Sequence, residues 1–232
     1  MNTALMITFI TLCVASVATF IYFRISHVGL QAFWGKLISS CIFVIGGMVA
    51  IMLKKEPADY LYFILFGLFL GMVGDVLLEL KVIYRPHDYQ YTNAGILSFS
   101  LSHVCYIVGL SLFANATKDI LVPVFVSLAI GAVLATIILV NSRAMHIDFG
   151  DHKIPAGAYS FILCISFVYS VALSFLIPSL WIVSAGLLFF LISDLILSFI
   201  YWGNKNNNVM NILNLSFYYV AQILIMTFLF II

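Results

Sequence analysis

Charge is what this chain most lacks. Of its 232 residues only 8% are Asp, Glu, Lys or Arg, while 64% are apolar, against about a quarter charged in an ordinary soluble domain. So little polar surface cannot cover a water-soluble globule, which leaves a polytopic membrane protein. The net charge of +1 offers none of the basic excess that nucleic-acid binding requires, and no nucleic-acid partner is expected. Cysteine is sparse as well. Cys13, Cys41, Cys105 and Cys164 lie within apolar runs and show no C-x-x-C spacing, so they read as buried apolar thiols, with no disulfide framework or zinc cluster. The first apolar run has no basic segment ahead of it. Although Ser16-Val17-Ala18 resembles a weak cleavage site, the run is read as a retained span. No internal repeat or soluble domain is discernible, and 1–232 reads as one transmembrane domain.

What the chain has instead is length of apolar sequence. A hydrocarbon core of about 30 Å takes about 20 residues of helix. Eight stretches meet that measure, at 3–23, 33–53, 60–80, 92–113, 120–140, 155–177, 180–202 and 209–231. They are too long for the strands of a membrane barrel, which alternate over about ten residues. Helices also satisfy every backbone amide internally, as hydrocarbon demands. The predicted fold is therefore all-α, a polytopic transmembrane bundle of eight helices.

The basic residues are shared unevenly between its two ends. The connections after the odd-numbered spans hold Arg24, Lys36, Lys81, Arg85, Arg143, Lys153 and Lys205, and the other face holds Lys54, Lys55 and Lys118. By the positive-inside rule the first group is cytoplasmic and both termini lie on the other side. In a bacterium the host would be the inner membrane.

Against this background two carboxylates stand out, Asp75 in Val73-Gly74-Asp75-Val76 and Asp194 in Ile192-Ser193-Asp194-Leu195. An ionised acid at mid-bilayer costs about 2.5–3.5 kcal/mol on insertion scales, so such groups face a wet or protein-lined interior. At a rise of 1.5 Å per residue, Asp75 lies roughly 9 Å inside Lys81, and Asp194 roughly 12 Å inside Trp202. Both are in the same leaflet half. In span eight, Asn211, Asn214, Tyr218 and Gln222 fall on one helical stripe, and in span four so do Asn93, Ser100, His103 and Tyr106. Tyr159 and Ser166 in span six and Ser198 in span seven add to the set, while Gly67, Gly71 and Gly74 beside Asp75 allow a neighbouring helix to approach. These faces predict a polar cavity open toward the cytoplasmic side.

Each of these residues also has a purely structural reading. An intramembrane Asp can serve as a helix–helix hydrogen-bonding group, and tyrosines in spans pack or anchor at interfaces. His103 has no second intramembrane His with which to share a metal, since His27, His87, His146 and His152 belong to connections. No metal or cofactor is expected. Glu79, next to Lys81, is expected to snorkel to the surface.

The ordered motifs are Gly74-Asp75 with Leu78, Gly95 through Phe99 and His103 to Tyr106, Tyr159, Gly186 through Phe189 to Ser193-Asp194, and Tyr218-Tyr219 with Gln222. On these the chain resembles the lysoplasmalogenase (YhhN-like) family over most of its length. It departs at Lys36, which Leu37 follows where the family tends to a Lys-Pro pair. The resemblance implies hydrolysis of the vinyl ether of a lysoplasmalogen to a fatty aldehyde and a glycerophospho-base, with a lysoplasmalogen or related lysophospholipid among the membrane lipids as the binding partner.

That reaction needs one acid to protonate the β-carbon and one carboxylate to steady the oxocarbenium ion or deprotonate water. Asp75 and Asp194 are the catalytic candidates. Lys36, Asn93, His103, Tyr106, Tyr159, Ser193, Tyr218, Tyr219 and Gln222 are the substrate-binding candidates, with Lys81 or Arg85 as further phosphate contacts. Three other readings compete. Mid-span acids also serve proton-coupled transporters, although the Gly/Pro-interrupted paired helices of inverted repeats are not seen. A metal-dependent amidase of the alkaline ceramidase kind would want several interfacial His. A non-catalytic lipid-binding protein would need only the cavity.

Overall fold

The computed structural model describes residues 2–26, 29–115 and 118–232; His27 lies outside them. The described chain folds into eight long helices: α1 Asn2–Ile25, α2 Gly29–Met52, α3 Asp59–Ile83, α4 Asp88–Asn115, α5 Leu121–Asn141, α6 Lys153–Ser174, α7 Trp181–Trp202 and α8 Asn208–Ile231. All eight are long and apolar enough to cross a membrane. Their outward faces carry exposed Phe, Ile, Leu and Val along most of their length, as on α5 at Val122, Phe125, Ile130 and Val133. A soluble surface rarely presents apolar patches beyond a few hundred Å². Exposed Trp34 and Trp181 stand near the starts of α2 and α7, where interfacial aromatics anchor a span.

Several helix ends depart from the hydropathy ruler, α2 starting at Gly29 rather than 33 and α3 ending at Ile83 rather than 80; the departures of α4 and α6 have visible reasons. α4 starts at Asp88, four residues ahead of its apolar run, because a polar first turn can be helical in the head-group layer, and there Thr92 bonds back to the Asp88 carbonyl at 2.8 Å. α6 ends at Ser174 rather than 177. The Leu173 carbonyl accepts from both Leu176 and Ile177, and Ile177, ahead of Pro178, takes an extended conformation, as a residue before proline does.

α1, α2, α3, α4, α6, α7 and α8 close a ring, in which α8 also reaches across to α2 and α3. α8 is thus the inner helix, with Tyr218, Tyr219, Gln222 and Met226 all buried. The α3–α4 seam is drawn tight by small residues. The Ser98 and Ser102 hydroxyls donate to the Leu70 and Gly67 carbonyls, each at 2.7 Å, the close approach that glycine permits in membranes.

α5 packs on the outside of the ring against α6, along the buried stripe Ser127, Gly131 and Ala135. At Gly131 a Cβ would stand 2.8 Å from Ile165 Cα and 3.0 Å from its nitrogen, and a backbone cannot rotate out of the way. Gly131→Ala is expected to cost about 1–3 kcal/mol by overpacking. Scanning fluorimetry in detergent should then show a melting temperature several degrees lower; an unchanged value would mean that α5 is free to shift.

Candidate functional site

Asp75 on α3 is 2% exposed and held from three sides. The Lys36 ammonium of α2 lies 3.3 Å from Oδ1. Ser40, one turn beyond Lys36, donates to Oδ2 at 2.6 Å, and Tyr218 of α8 donates to the same oxygen at 2.7 Å. A buried charge is tolerated only when paired and hydrogen-bonded, and here every contact to the carboxylate is a donor.

A second layer stands behind. Tyr219 donates to the Lys36 carbonyl at 3.3 Å and meets Ser40 Oγ at 3.2 Å. Gln222 donates to the Tyr218 hydroxyl at 3.0 Å, while Tyr106 donates to Gln222 Oε1 at 3.4 Å. Neighbours on α8 at one-turn spacing therefore orient the Asp75 partners rather than Asp75 itself.

Asp194 on α7 is held differently. Tyr159 of α6 donates to its Oδ2, no cation bonds it among the described residues, and it is partly exposed. That exposure opens onto two spaces. One is a polar cavity of about 500 Å³, whose wall includes Arg24, Lys36, Asp75, Glu79 and Asn211 as well as Asp194. It reaches the turn at Asn206–Asn208, at the end of the bundle that also carries Arg24. The other is an apolar crevice among α4, α6 and α7, walled by Ile96, Leu163, Leu191 and Leu195. Asp194 belongs to both walls, as do Leu78, Phe99, Leu197 and Tyr201. Asp75 and Asp194 share no hydrogen bond among the described residues, but they face one cavity.

The remaining sequence candidates divide into those that reach the cavity and those that do not. Lys36, Ser193 and Tyr218 line it. Ser193 and Asn214 clamp α7 to α8, with the Asn214 amide donating to the Ser193 carbonyl at 2.8 Å and to its Oγ at 2.9 Å. Tyr159 lines the apolar crevice. Tyr106, Tyr219 and Gln222 lie behind Asp75 and outside the wall. His103 is fully buried, edge-on to Phe190 at 4.6 Å, with Nδ1 3.3 Å from Ser166 Oγ and no partner for Nε2 among the described residues. Asn93 is bound up with His152 at 2.9 Å.

Two readings of burial are overturned: Cys41 and Cys105 are half-buried rather than buried thiols, and Glu79 is buried rather than at the surface. Glu79 does not snorkel: it is 1% exposed and its Oε2 is paired to Arg24. Lys81, its supposed companion, turns instead to Asp88 at 3.3 Å and to the Tyr201 ring face at 3.7 Å. The Arg85 side chain lies outside the described residues. Sequence reasoning also missed Ser40 and Arg24. Ser40 was detectable as a hydroxyl four residues from Lys36, hence on the same helical face. Arg24 sits at the very end of α1 and gave no such signal.

Eight membrane-length helices around a cavity edged by carboxyls, cations and hydroxyls define a multi-pass integral membrane protein. The model of the YhhN family matches residues 36–229, and the chain belongs to that family. The match begins at Lys36 and takes in Asp75, Asp194 and the side chains that bond them, while Arg24 of the cavity wall precedes it. No curated protein and no solved structure matches the chain.

Proposed function

We propose that this protein is a lysoplasmalogenase that hydrolyses the vinyl ether of a lysoplasmalogen within the membrane. The observation that carries the reading is the position of Asp194, in the wall common to an apolar crevice and a polar cavity that also contains Asp75. A lysoplasmalogen has that division, an aliphatic chain joined to a glycerophospho head through the scissile bond. With the chain in the crevice and the head in the cavity, the bond lies against Asp194.

The differing partners of the two acids suggest their roles. Asp75, paired with an ammonium, acts as the carboxylate; Asp194, held by one tyrosine hydroxyl, acts as the acid. Asp194 gives its proton to the β-carbon of the vinyl ether, and the adjacent carbon becomes an oxocarbenium ion. Water bonds to that carbon and passes a proton to Asp75. The hemiacetal then collapses: its hydroxyl gives a proton back to Asp194, the carbon–oxygen bond to glycerol breaks, and Asp75 returns its proton to the glycerol oxygen, which restores both acids. One water is consumed, and aldehyde and glycerophospho-base leave. The basic end of the bundle, with Arg24 and Lys36, is placed in the cytoplasm under this reading.

Turnover in deuterium oxide tests it. Mass spectrometry should find one deuterium on the carbon next to the aldehyde, the mark of β-carbon protonation, and a saturated 1-alkyl lysolipid should release nothing. Aldehyde free of deuterium, or no aldehyde at all from folded protein, would sink the proposal.

A further inference from the structure

The polar cavity contains a second charged pair that the chemistry above leaves unused. Glu79 lines the wall and is almost wholly buried. Its Oε2 is held by Arg24, with Lys36 Nζ 4.0 Å away. Its other oxygen, Oε1, is buried with no hydrogen-bond partner among the described residues. Leaving such an acceptor unpaired costs about 1–3 kcal/mol, more for a charged group, and the residue that carries it is part of the cavity wall.

Arg24, also in the wall, is fixed by Glu79 and by the Phe20 ring 5.6 Å away. A guanidinium presents five N–H donors, so one carboxylate oxygen does not exhaust it. Across the five charged groups of the wall, Arg24 and Lys36 stand against Asp75, Glu79 and Asp194. Among the described residues Glu79 Oε1 has no donor, and Arg24, whose side chain is partly exposed, has Glu79 as its hydrogen-bonding acceptor.

We propose that Arg24 and Glu79 form a head-group slot for a zwitterion carrying a phosphate and a primary ammonium, namely phosphoethanolamine. The phosphate takes the free guanidinium donors and the ammonium donates to Glu79 Oε1, the two ion pairs lying antiparallel. A trimethylated ammonium has no N–H to give, so phosphocholine leaves Oε1 unpaired. This assignment rests on the lysolipid reading of the cavity but not on its catalysis.

Binding therefore tests it separately. Purified protein in detergent is titrated by calorimetry with 1-alkyl-glycero-3-phosphoethanolamine, its mono- and dimethyl forms, and 1-alkyl-glycero-3-phosphocholine, none of which holds a vinyl ether. Affinity should fall along the series, and choline should bind about tenfold or more weakly than ethanolamine, or about 1.4 kcal/mol. In Glu79→Gln that ratio should shrink toward one. Equal affinities in the wild type would overturn the slot even if aldehyde is released. A steep series without aldehyde release would uphold the slot and remove the hydrolase. Because the wild-type series already decides the question, a poorly folding Glu79→Gln does not block the test.

Discussion

Asp194→Asn is expected to lower aldehyde release from a lysoplasmalogen by about 10³-fold, within the range that a positioned general acid contributes. The substitution keeps the shape of the side chain and leaves an acceptor for the Tyr159 hydroxyl, so the packing of α6 on α7 survives. It removes the proton that the β-carbon must receive, and a neutral amide cannot steady the cation that follows. The protein should still elute as a single species and melt within a few degrees of the wild type. Near-wild-type turnover by that folded variant would remove Asp194 from the reaction. Since the two acids act on one substrate, Asp75→Asn should cost a comparable factor, and the double variant should lose little more, as with residues that work as a unit.

Lys36→Met should damage stability more than any other single change at the site. It strips the cation from a carboxylate that is 2% exposed, and breaking a buried pair from one side costs about 3–5 kcal/mol. At about 2–4 °C per kcal/mol for a chain of this size, the apparent melting temperature should fall by roughly 10 °C. The double variant Lys36→Met/Asp75→Asn removes both charges. Ser40 and Tyr218 can still donate to the asparagine carbonyl oxygen, so most of the lost stability should return while aldehyde release does not. Scanning fluorimetry and turnover on the same preparations separate these effects. If the double variant melts as low as the single, the Lys36–Asp75 pair does not account for the loss.

How much of this was legible in the sequence depends on the range of each interaction. Span count followed from hydropathy alone, because the transfer of a side chain into hydrocarbon is nearly independent of its neighbours. The ends at Asp88 and Ser174 were less legible, since a polar helical turn and a pre-proline break do not register on a hydropathy ruler. The α8 stripe read correctly as facing inward, yet its members have unequal roles. Tyr218 hydrogen-bonds Asp75, whereas Gln222 hydrogen-bonds Tyr218 and Tyr106. Periodicity reports which face a residue is on and says nothing about whether that face meets a cavity or another helix. His103 illustrates the same limit, being polar, inward and sealed behind Phe190.

Glu79 is the most instructive misreading. An acid two residues from a lysine at a span end is ordinarily a surface group. Here Arg24, 55 positions earlier in the chain, supplies a partner inside the bundle, and no local pattern could have indicated it. The sequence by itself determined that the chain is an eight-span helical membrane protein with costly acids at Asp75 and Asp194, since these depend on composition, length and depth. Only the tertiary structure decided that the two acids face one cavity, that Asp75 is paired and Asp194 lies between a polar and an apolar space, and that Glu79 turns inward. Those outcomes depend on which helices become neighbours, and the buried charges have stable positions only once distant segments supply their partners.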